Sequence, residues 1–264
     1  MSSTDQTIIL ITGANGGIGF SLATQLLENA KYLILLGSRS AEKGEAAVKQ
    51  LQGKGLPGKV ELLQIDVSDE TSILKAKDVV EGKYGRASSH THKLPTSIDA
   101  LVNNAAITGE APASSSLATR MTSAFLTNAT GPAVIVETFA PFLAKSAEMG
   151  KTPRILNVSS GAGSIGLRSD RTNPHQAMKN LPYRSSKAAL NMLTACQDYE
   201  YGPKGWKVFC FCPGFTESNL GPRNKPEHGA KPTSEGAKPM VAILEGERDE
   251  ESGGFLKAEG GWPW

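Results

Sequence analysis

A short apolar run that ends in glycines and passes straight into a helical pattern constrains this chain more than any other feature. Residues 7–12 (TIILIT) are of strand type, and the run continues Thr12-Gly13-Ala14-Asn15-Gly16-Gly17-Ile18-Gly19. Ile18, Leu22, Leu26 and Leu27 then recur at helical spacing over residues 18–30. Glycines at 13, 17 and 19 let the main chain turn tightly and approach another group closely. The helix that starts there offers free N–H groups and a positive dipole end, which suits a pyrophosphate. The spacing is G-x-x-x-G-x-G rather than the standard G-x-G-x-x-G. The strand before it and the helix after it are what point to a dinucleotide. A tight turn that binds nothing is the alternative reading.

The same alternation repeats along the chain. Strand-type runs fall at 32–37 (YLILLG), 60–67, 98–106, 155–159, 208–212 and 254–257. Helical periods fall at 41–51, 69–84, 181–201 and 234–244, and over 117–147 with an expected interruption at Gly131-Pro132. Continuous apolar strands between helices mean a parallel sheet covered on both faces. The expected fold class is therefore α/β: a doubly wound, mostly seven-stranded parallel sheet with helices on both faces. With 264 residues the chain is read as a single domain over 1–264. A (β/α)₈ barrel is the structural rival, but seven strands and a glycine-rich first turn favour the open sheet. Three stretches read as irregular: 85–97, a polar surface loop, and 161–180 and 215–232. The last two follow strand carboxyl ends, where ligands bind in such sheets, and are expected to be substrate-side loops.

Composition excludes several classes. The formal net charge of +2 implies no general attraction to nucleic acid or membrane. No apolar run is long enough to span a bilayer. Residues 1–7 are polar and lack the basic-then-apolar layout of a leader. Three cysteines, Cys196, Cys210 and Cys212, do not make a disulfide framework, so a reducing, cytoplasmic setting is expected. No metal site is expected: Cys210 and Cys212 lack a matching ligand pair, and the histidines at 90, 92, 175 and 228 lie in loop-like stretches.

The end of the second strand bears on the cofactor. An acidic residue there would bind the ribose 2′-hydroxyl of NAD. Here the sequence reads Gly37-Ser38-Arg39-Ser40. Arg39 can form a two-pronged pair with a 2′-phosphate, with further hydrogen bonds from Ser38 or Ser40. NADP(H) is therefore expected, and Asn15 is a further candidate contact to the same phosphate.

Tyr183 and Lys187 are four residues apart and so neighbours on one helical face. An ammonium beside a phenol favours the phenolate and lowers its pKa, so the pair suits general acid–base catalysis. Alone, Y-x-x-x-K is a common spacing, and a surface helix pair is its plain reading.

The ordered set of motifs resembles the short-chain dehydrogenase/reductase family over nearly the whole chain. The matching pieces are TGANGGIG at 12–19, Asp66-Val67, NNAA at 103–106, Asn128, Ser159-Ser160, Tyr183-x-x-x-Lys187, Cys212-Pro213-Gly214 and the ending GGFLKAEGGW at 253–262. The resemblance implies a Rossmann fold and hydride transfer, with Tyr183 donating a proton to the carbonyl oxygen. Lys187 would tune Tyr183 and hold the nicotinamide ribose. Ser160, which fits S-x-x-G with Gly163, would hydrogen-bond the carbonyl oxygen in preference to Ser159. Asn128 would order a water relay to the lysine. Asp66 and Val67 would hold the adenine, Asn104 and Ala105 the adenosine ribose, and Ile18 the nicotinamide end. Pro213 and Gly214 would contact the nicotinamide, with Thr216 and Ser218 as candidates for the carboxamide or phosphate.

Within the family, Asn15, Ser38-Arg39 and Cys212-Pro213-Gly214 resemble the NADPH-dependent carbonyl reductases. The expected partner is a small-molecule ketone or aldehyde. The pocket candidates Ile107, Ile165, Leu167, Phe215 and Leu220 suit an apolar or aromatic one. An NADP(H)-binding regulator without catalysis is the rival of another class, although a sensor has no need of an intact Asn–Ser–Tyr–Lys set. Alcohol oxidation or epimerisation on the same fold is not separable from reduction at this level. Ser160 and Tyr183 are 23 positions apart. That falls between the family's compact form and the large insertion of its monomeric carbonyl reductases, so monomer, homodimer and homotetramer all stay open.

Overall fold

The computed structural model describes residues 6–85, 97–109, 115–172 and 179–264. The elements run β1 (Thr7–Ile11), α1 (Gly17–Leu26), β2 (Tyr32–Ser38), α2 (Ala41–Gln52), β3 (Lys59–Gln64), α3 (Glu70–Gly85) and β4 (Ala100–Asn103). There follow α4 (Leu117–Phe125), a π-helical turn (Leu126–Thr130), α5 (Gly131–Glu148), β5 (Arg154–Val158), α6 (Ile165–Ser169), α7 (Leu181–Tyr201), β6 (Lys207–Phe211), α8 (Thr233–Glu245) and β7 (Phe255–Leu256). The seven strands form one sheet in the order β3-β2-β1-β4-β5-β6-β7, and every pairing is parallel. This is the open, doubly wound Rossmann arrangement, with edges at β3 and β7, so the barrel reading falls away.

Alternate residues of each strand feed two cores. Ile9, Ile11, Ile34, Leu36, Phe209 and Phe211 pack with Leu22 and Leu26 of α1 and Met240 and Ile243 of α8 on one face. Ile8, Leu10, Leu33, Leu35, Leu101 and Val208 pack with Ile73 of α3 and Ile135, Phe139 and Leu143 of α5 on the other. All seven residues of β2 are buried, as a strand covered on both faces requires. The chain builds outward from β1 to β3, then crosses back to place β4 on the other side of β1. The crevice at that switch point, at the carboxyl ends of β1 and β4, is where such sheets take ligands.

Two expectations are corrected. Gly131-Pro132 does not interrupt the long helical stretch. The chain runs from α4 through the π-helical turn into α5 with Gly131 first and Pro132 next. Proline in a first turn is pre-set for helical φ, and the widened π turn needs no bond from its missing N–H. Gly131 is there for another reason: a Cβ on it would lie 2.1 Å from the Val67 carbonyl oxygen. The loop at 161–180 is also less irregular than expected, since it opens with a 3₁₀ turn (Gly161–Gly163) and then α6. Residues 86–96 and 173–178, with His90, His92 and His175, lie outside the described residues. Among the described residues no helix is long and apolar enough to cross a membrane, and no group of three metal-ligating side chains forms.

Candidate active site

The glycine loop is held from below by the end of β4. Asn104 donates its side-chain amide to the carbonyls of Thr12 at 2.8 Å and Gly13 at 3.2 Å. The Thr12 hydroxyl in turn accepts from the N–H groups of Asn104 at 3.0 Å and Ala105 at 3.1 Å. The packing leaves no room for side chains: a Cβ on Gly13 would meet Ala105 Cα at 2.9 Å, and one on Gly19 would meet Asn104 Nδ2 at 2.5 Å. Asn104 and Ala105 thus brace the loop, a role that the family pattern alone did not separate from contact with a ribose. Gly17 has φ +58, and nothing lies within 4 Å of where its Cβ would be. Gly16 before α1 offers no side-chain cap, and the first turn has no acid. The orphan N–H groups of that turn therefore face open space with the positive end of the dipole, which fits a pyrophosphate. Ile18 is half-buried against the core, and Asn15 sits half-buried at the same rim.

At the end of β2, Arg39 is 77% exposed, and its Nε lies 3.9 Å from Asp66 Oδ2. An exposed pair this long is worth little and can be redirected toward an anion. Asp66 Oδ1 accepts from the Ser68 hydroxyl and N–H at 2.6 and 3.0 Å, which fixes the carboxylate beside buried Val67. Ser38 is buried and donates to the Ser40 carbonyl at 2.8 Å. The hydroxyl left beside Arg39 is that of Ser40, which caps α2 by accepting from Lys43 N–H at 3.2 Å and keeps its own hydrogen to donate.

After β6, Gly214 (φ +80) turns the chain beside Pro213, and Thr216 pairs with Lys231 in a parallel bridge. Thr216 is buried, its methyl packed where a Cβ on Gly236 would lie. The Ser218 hydroxyl accepts from Leu220 N–H at 3.3 Å. Gly17, Glu217, Ser218, Asn219 and Thr233 line a cavity of about 340 Å³ between the glycine loop and this segment. Another cavity, lined by Leu27, Leu51, Leu56 and Val60, lies at the amino end of β3, away from all these groups.

The remaining candidates meet at the end of β5. Asn180 caps α7 by accepting from Tyr183 N–H at 3.2 Å, with Pro182 in the first turn. That cap places Tyr183 one turn before Lys187. Ser160 hydrogen-bonds Tyr183, and its hydroxyl also accepts from Ala162 N–H at 3.1 Å. Ser159 points the other way, to Asn191 Oδ1 at 2.6 Å. Gly163 is the reason the loop can lie here: a Cβ on it would sit 2.6 Å from the Lys187 carbonyl carbon. Lys187 is buried and donates to the Val158 carbonyl at 2.7 Å, with its Nζ 5.9 Å from the Tyr183 ring centre.

Burial pushes the Tyr183 phenol up to about 12; the Ser160 hydrogen bond pulls against that and Cys212 adds to it. Burial lowers Lys187 to about 8, opposed by Cys210 and Cys212. In this arrangement burial, not the ammonium, dominates the tyrosine, because the lysine is turned to Val158.

Asn128 sits in the π-helical turn with its side chain fully engaged. It accepts from Ile107 N–H at 2.9 Å and donates to the Ile107 carbonyl at 2.8 Å and to Ser186 Oγ at 2.9 Å. Two residues that sequence reasoning missed, Ser186 and Asn191, tie α7 to this frame. Asn191 accepts from Ser159 and Cys210 and donates to the Gly163 carbonyl at 3.3 Å. The signal was available: Tyr183, Lys187, Asn191 and Thr194 form a polar stripe at helical spacing on a face that is otherwise buried.

Residues 7–228 match the family model described as short chain dehydrogenase. The chain is 36% identical over 262 residues to the short-chain dehydrogenase anuI of Penicillium roqueforti, covering 98% of this chain and 97% of that protein. Among solved structures, the NADPH-bound carbonyl reductase from chicken fatty liver superposes with a TM-score of 0.78 at 26% identity, covering 98% and 99% of the two chains. The carbonyl reductase Sniffer of D. melanogaster shares the fold, with a TM-score of 0.76 at 23% identity over 98% and 100%.

Proposed function

This chain belongs to the short-chain dehydrogenase/reductase family of oxidoreductases, and on that premise we propose that it reduces a ketone or aldehyde to an alcohol with NADPH. The observation that carries the reading is the convergence of Ser160, Tyr183 and Lys187 at the carboxyl end of β5, on the same edge of the sheet as the glycine loop. When bound, the nicotinamide supplies the hydride. Tyr183 holds its proton up to about pH 12, so it is a neutral acid poised to give that proton to the carbonyl oxygen. Ser160 stands beside Tyr183 and turns its single hydroxyl hydrogen from the phenol to the same carbonyl oxygen as charge develops there. Lys187, within a turn of Tyr183 and anchored on the Val158 carbonyl, supplies its remaining donors to the ribose hydroxyls. Asn128 acts through its frame, pinning Ile107 and α7.

The cofactor preference rests on the end of β2. No carboxylate of Ser38-Arg39-Ser40 awaits a 2′-hydroxyl, and Arg39 with Ser40 and the amino end of α2 suits a 2′-phosphate. Asn15, Ser38 through its main chain, Asp66, Val67, Pro213, Gly214, Thr216 and Ser218 complete the proposed cofactor contour. The substrate side is apolar: Ile165 and Phe215 are exposed, and the Leu220 carbonyl is tied to the Thr108 hydroxyl at 3.1 Å beside Ile107. An apolar or aromatic carbonyl compound fits there. The test is a panel of ketones and aldehydes assayed with NADPH and NADH on the wild type and on Arg39→Asp. The wild type is expected to prefer NADPH, and the variant to lose about 10- to 100-fold in kcat/KM with NADPH while NADH is nearly unaffected. Equal losses with both cofactors would remove Arg39 from the assignment.

A further inference from the structure

The last residues of the sequence are folded back over the chain that follows Ser160. Beyond β7, Gly261 bridges Leu256 in antiparallel fashion, and the Trp262 N–H donates to the Phe255 carbonyl at 2.7 Å. The chain thereby reverses toward α6. There the buried Ser164 hydroxyl donates to the Pro263 carbonyl at 2.6 Å and caps α6 by accepting from Leu167 N–H at 3.0 Å. The Gly166 N–H donates to the Trp264 main-chain oxygen at 2.7 Å. The Trp264 ring stacks on Phe255, with centres 5.6 Å apart. A Cβ on Gly166 would lie 3.1 Å from Pro263, and one on Gly161 would lie 3.8 Å from the Trp262 indole nitrogen.

Trp262 packs on the cluster of Cys210, Cys212 and Phe255, and Cys212 Sγ accepts from the Gly161 N–H at 3.1 Å. Its indole N–H is enclosed and makes no hydrogen bond. The ring is therefore held by packing, with the Lys257 ammonium 4.3 Å from its centre. Gly161 is the residue after Ser160, and Gly163 is seated on Lys187 from the other side. The tail and α7 thus grip one stretch of chain between them.

We propose that Trp262, Pro263 and Trp264 are positioning residues for the substrate side of the site: they clamp residues 161–169 and so set where Ile165 and Leu167 meet a bulky apolar carbonyl compound. This rests on the reductase reading above. The glycine loop and Arg39 lie on other elements, so the clamp acts on substrate fit more than on NADPH, which it reaches only through Cys212 beside Pro213.

The test compares the wild type with Trp262→Ala and Trp262→Phe. In Trp262→Ala, KM for a bulky aromatic ketone is expected to rise by about tenfold, the scale of one lost apolar contact in a pocket. The NADPH dissociation constant and kcat for a small aldehyde should stay within about twofold. Trp262→Phe should restore most of the KM. Amide hydrogen exchange over 161–169 should quicken in Trp262→Ala while exchange in β1 and α1 stays as in the wild type. An unchanged KM for the bulky ketone, or parallel loss of NADPH binding and of all activities, would overturn the proposal. If the wild type reduced no carbonyl at all, the reductase reading would fall, and the exchange measurement would still decide whether the tail holds the loop.

Discussion

Tyr183 and Lys187 are moved by burial in opposite directions, the phenol up to about 12 and the ammonium down to about 8. Reduction needs the phenol protonated, and it stays so throughout the working range. The group that loses its proton first on the alkaline side is Lys187. The rate of carbonyl reduction at saturating NADPH is therefore expected to fall above about pH 8, with Lys187→Arg moving that limb upward. A pH profile flat to pH 10 would contradict this. The same shifts fix a stability trend. An unfolded lysine titrates near about 10.5 and binds more protons than the folded one between about pH 8 and 10.5, so this group makes stability rise with pH over that window. Tyr183 acts oppositely, since its folded value lies above the unfolded 10.0, and it takes stability away as pH rises from about 10 to 12. The pairing of Tyr183 with Lys187 is legible in the spacing alone. Their protonation is not, because it depends on how deeply α7 is buried and on the Val158 carbonyl that takes the lysine's hydrogen bond.

Strands and helices were legible where a period was strong. The residues of α7 and the core of β2 follow directly from apolar spacing. What the spacing does not carry is where another element's main chain intrudes. The π-helical turn and the continuity of α4 into α5 depend on Gly131 letting the Val67 carbonyl approach, a contact between segments 64 positions apart. Gly131→Ala is expected to destabilise the fold by about 1–3 kcal/mol through overpacking, read by urea denaturation. Because Asn128 lies in that turn and pins Ile107 and Ser186, turnover should fall along with stability. A neutral substitution would mean that the Val67–Gly131 approach is not needed. The tail is the other element that sequence reading placed only in part. GGFLKAEGGW at 253–262 resembles the family's final strand, but nothing in it says that the next two residues turn back to hold α6.

At the scale of the whole molecule, every proposed site residue that the structure describes lies at the carboxyl edge of one parallel sheet: after β1, β2, β3, β4, β5 and β6, or on the helices that flank that edge. This follows from strand polarity, since parallel strands send all their carboxyl ends to one side. The chain visits that edge at β1, β2 and β3 and then at β4 on the far side of β1, so motifs distant in sequence gather at one crevice, which is why a candidate set could be assembled from the sequence. The substrate was not legible, because the loops proposed to read it are packed by distant contacts such as Thr108 with Leu220 and Ser164 with Pro263. The central claim is that Tyr183 gives the proton to a carbonyl oxygen in an NADPH-dependent reduction. It is tested most directly by measuring kcat and NADPH affinity for the wild type and Tyr183→Phe on the carbonyl panel. The account predicts that the variant binds NADPH as the wild type does and loses about 10²–10⁴-fold in kcat; turnover retained at the wild-type rate would contradict it.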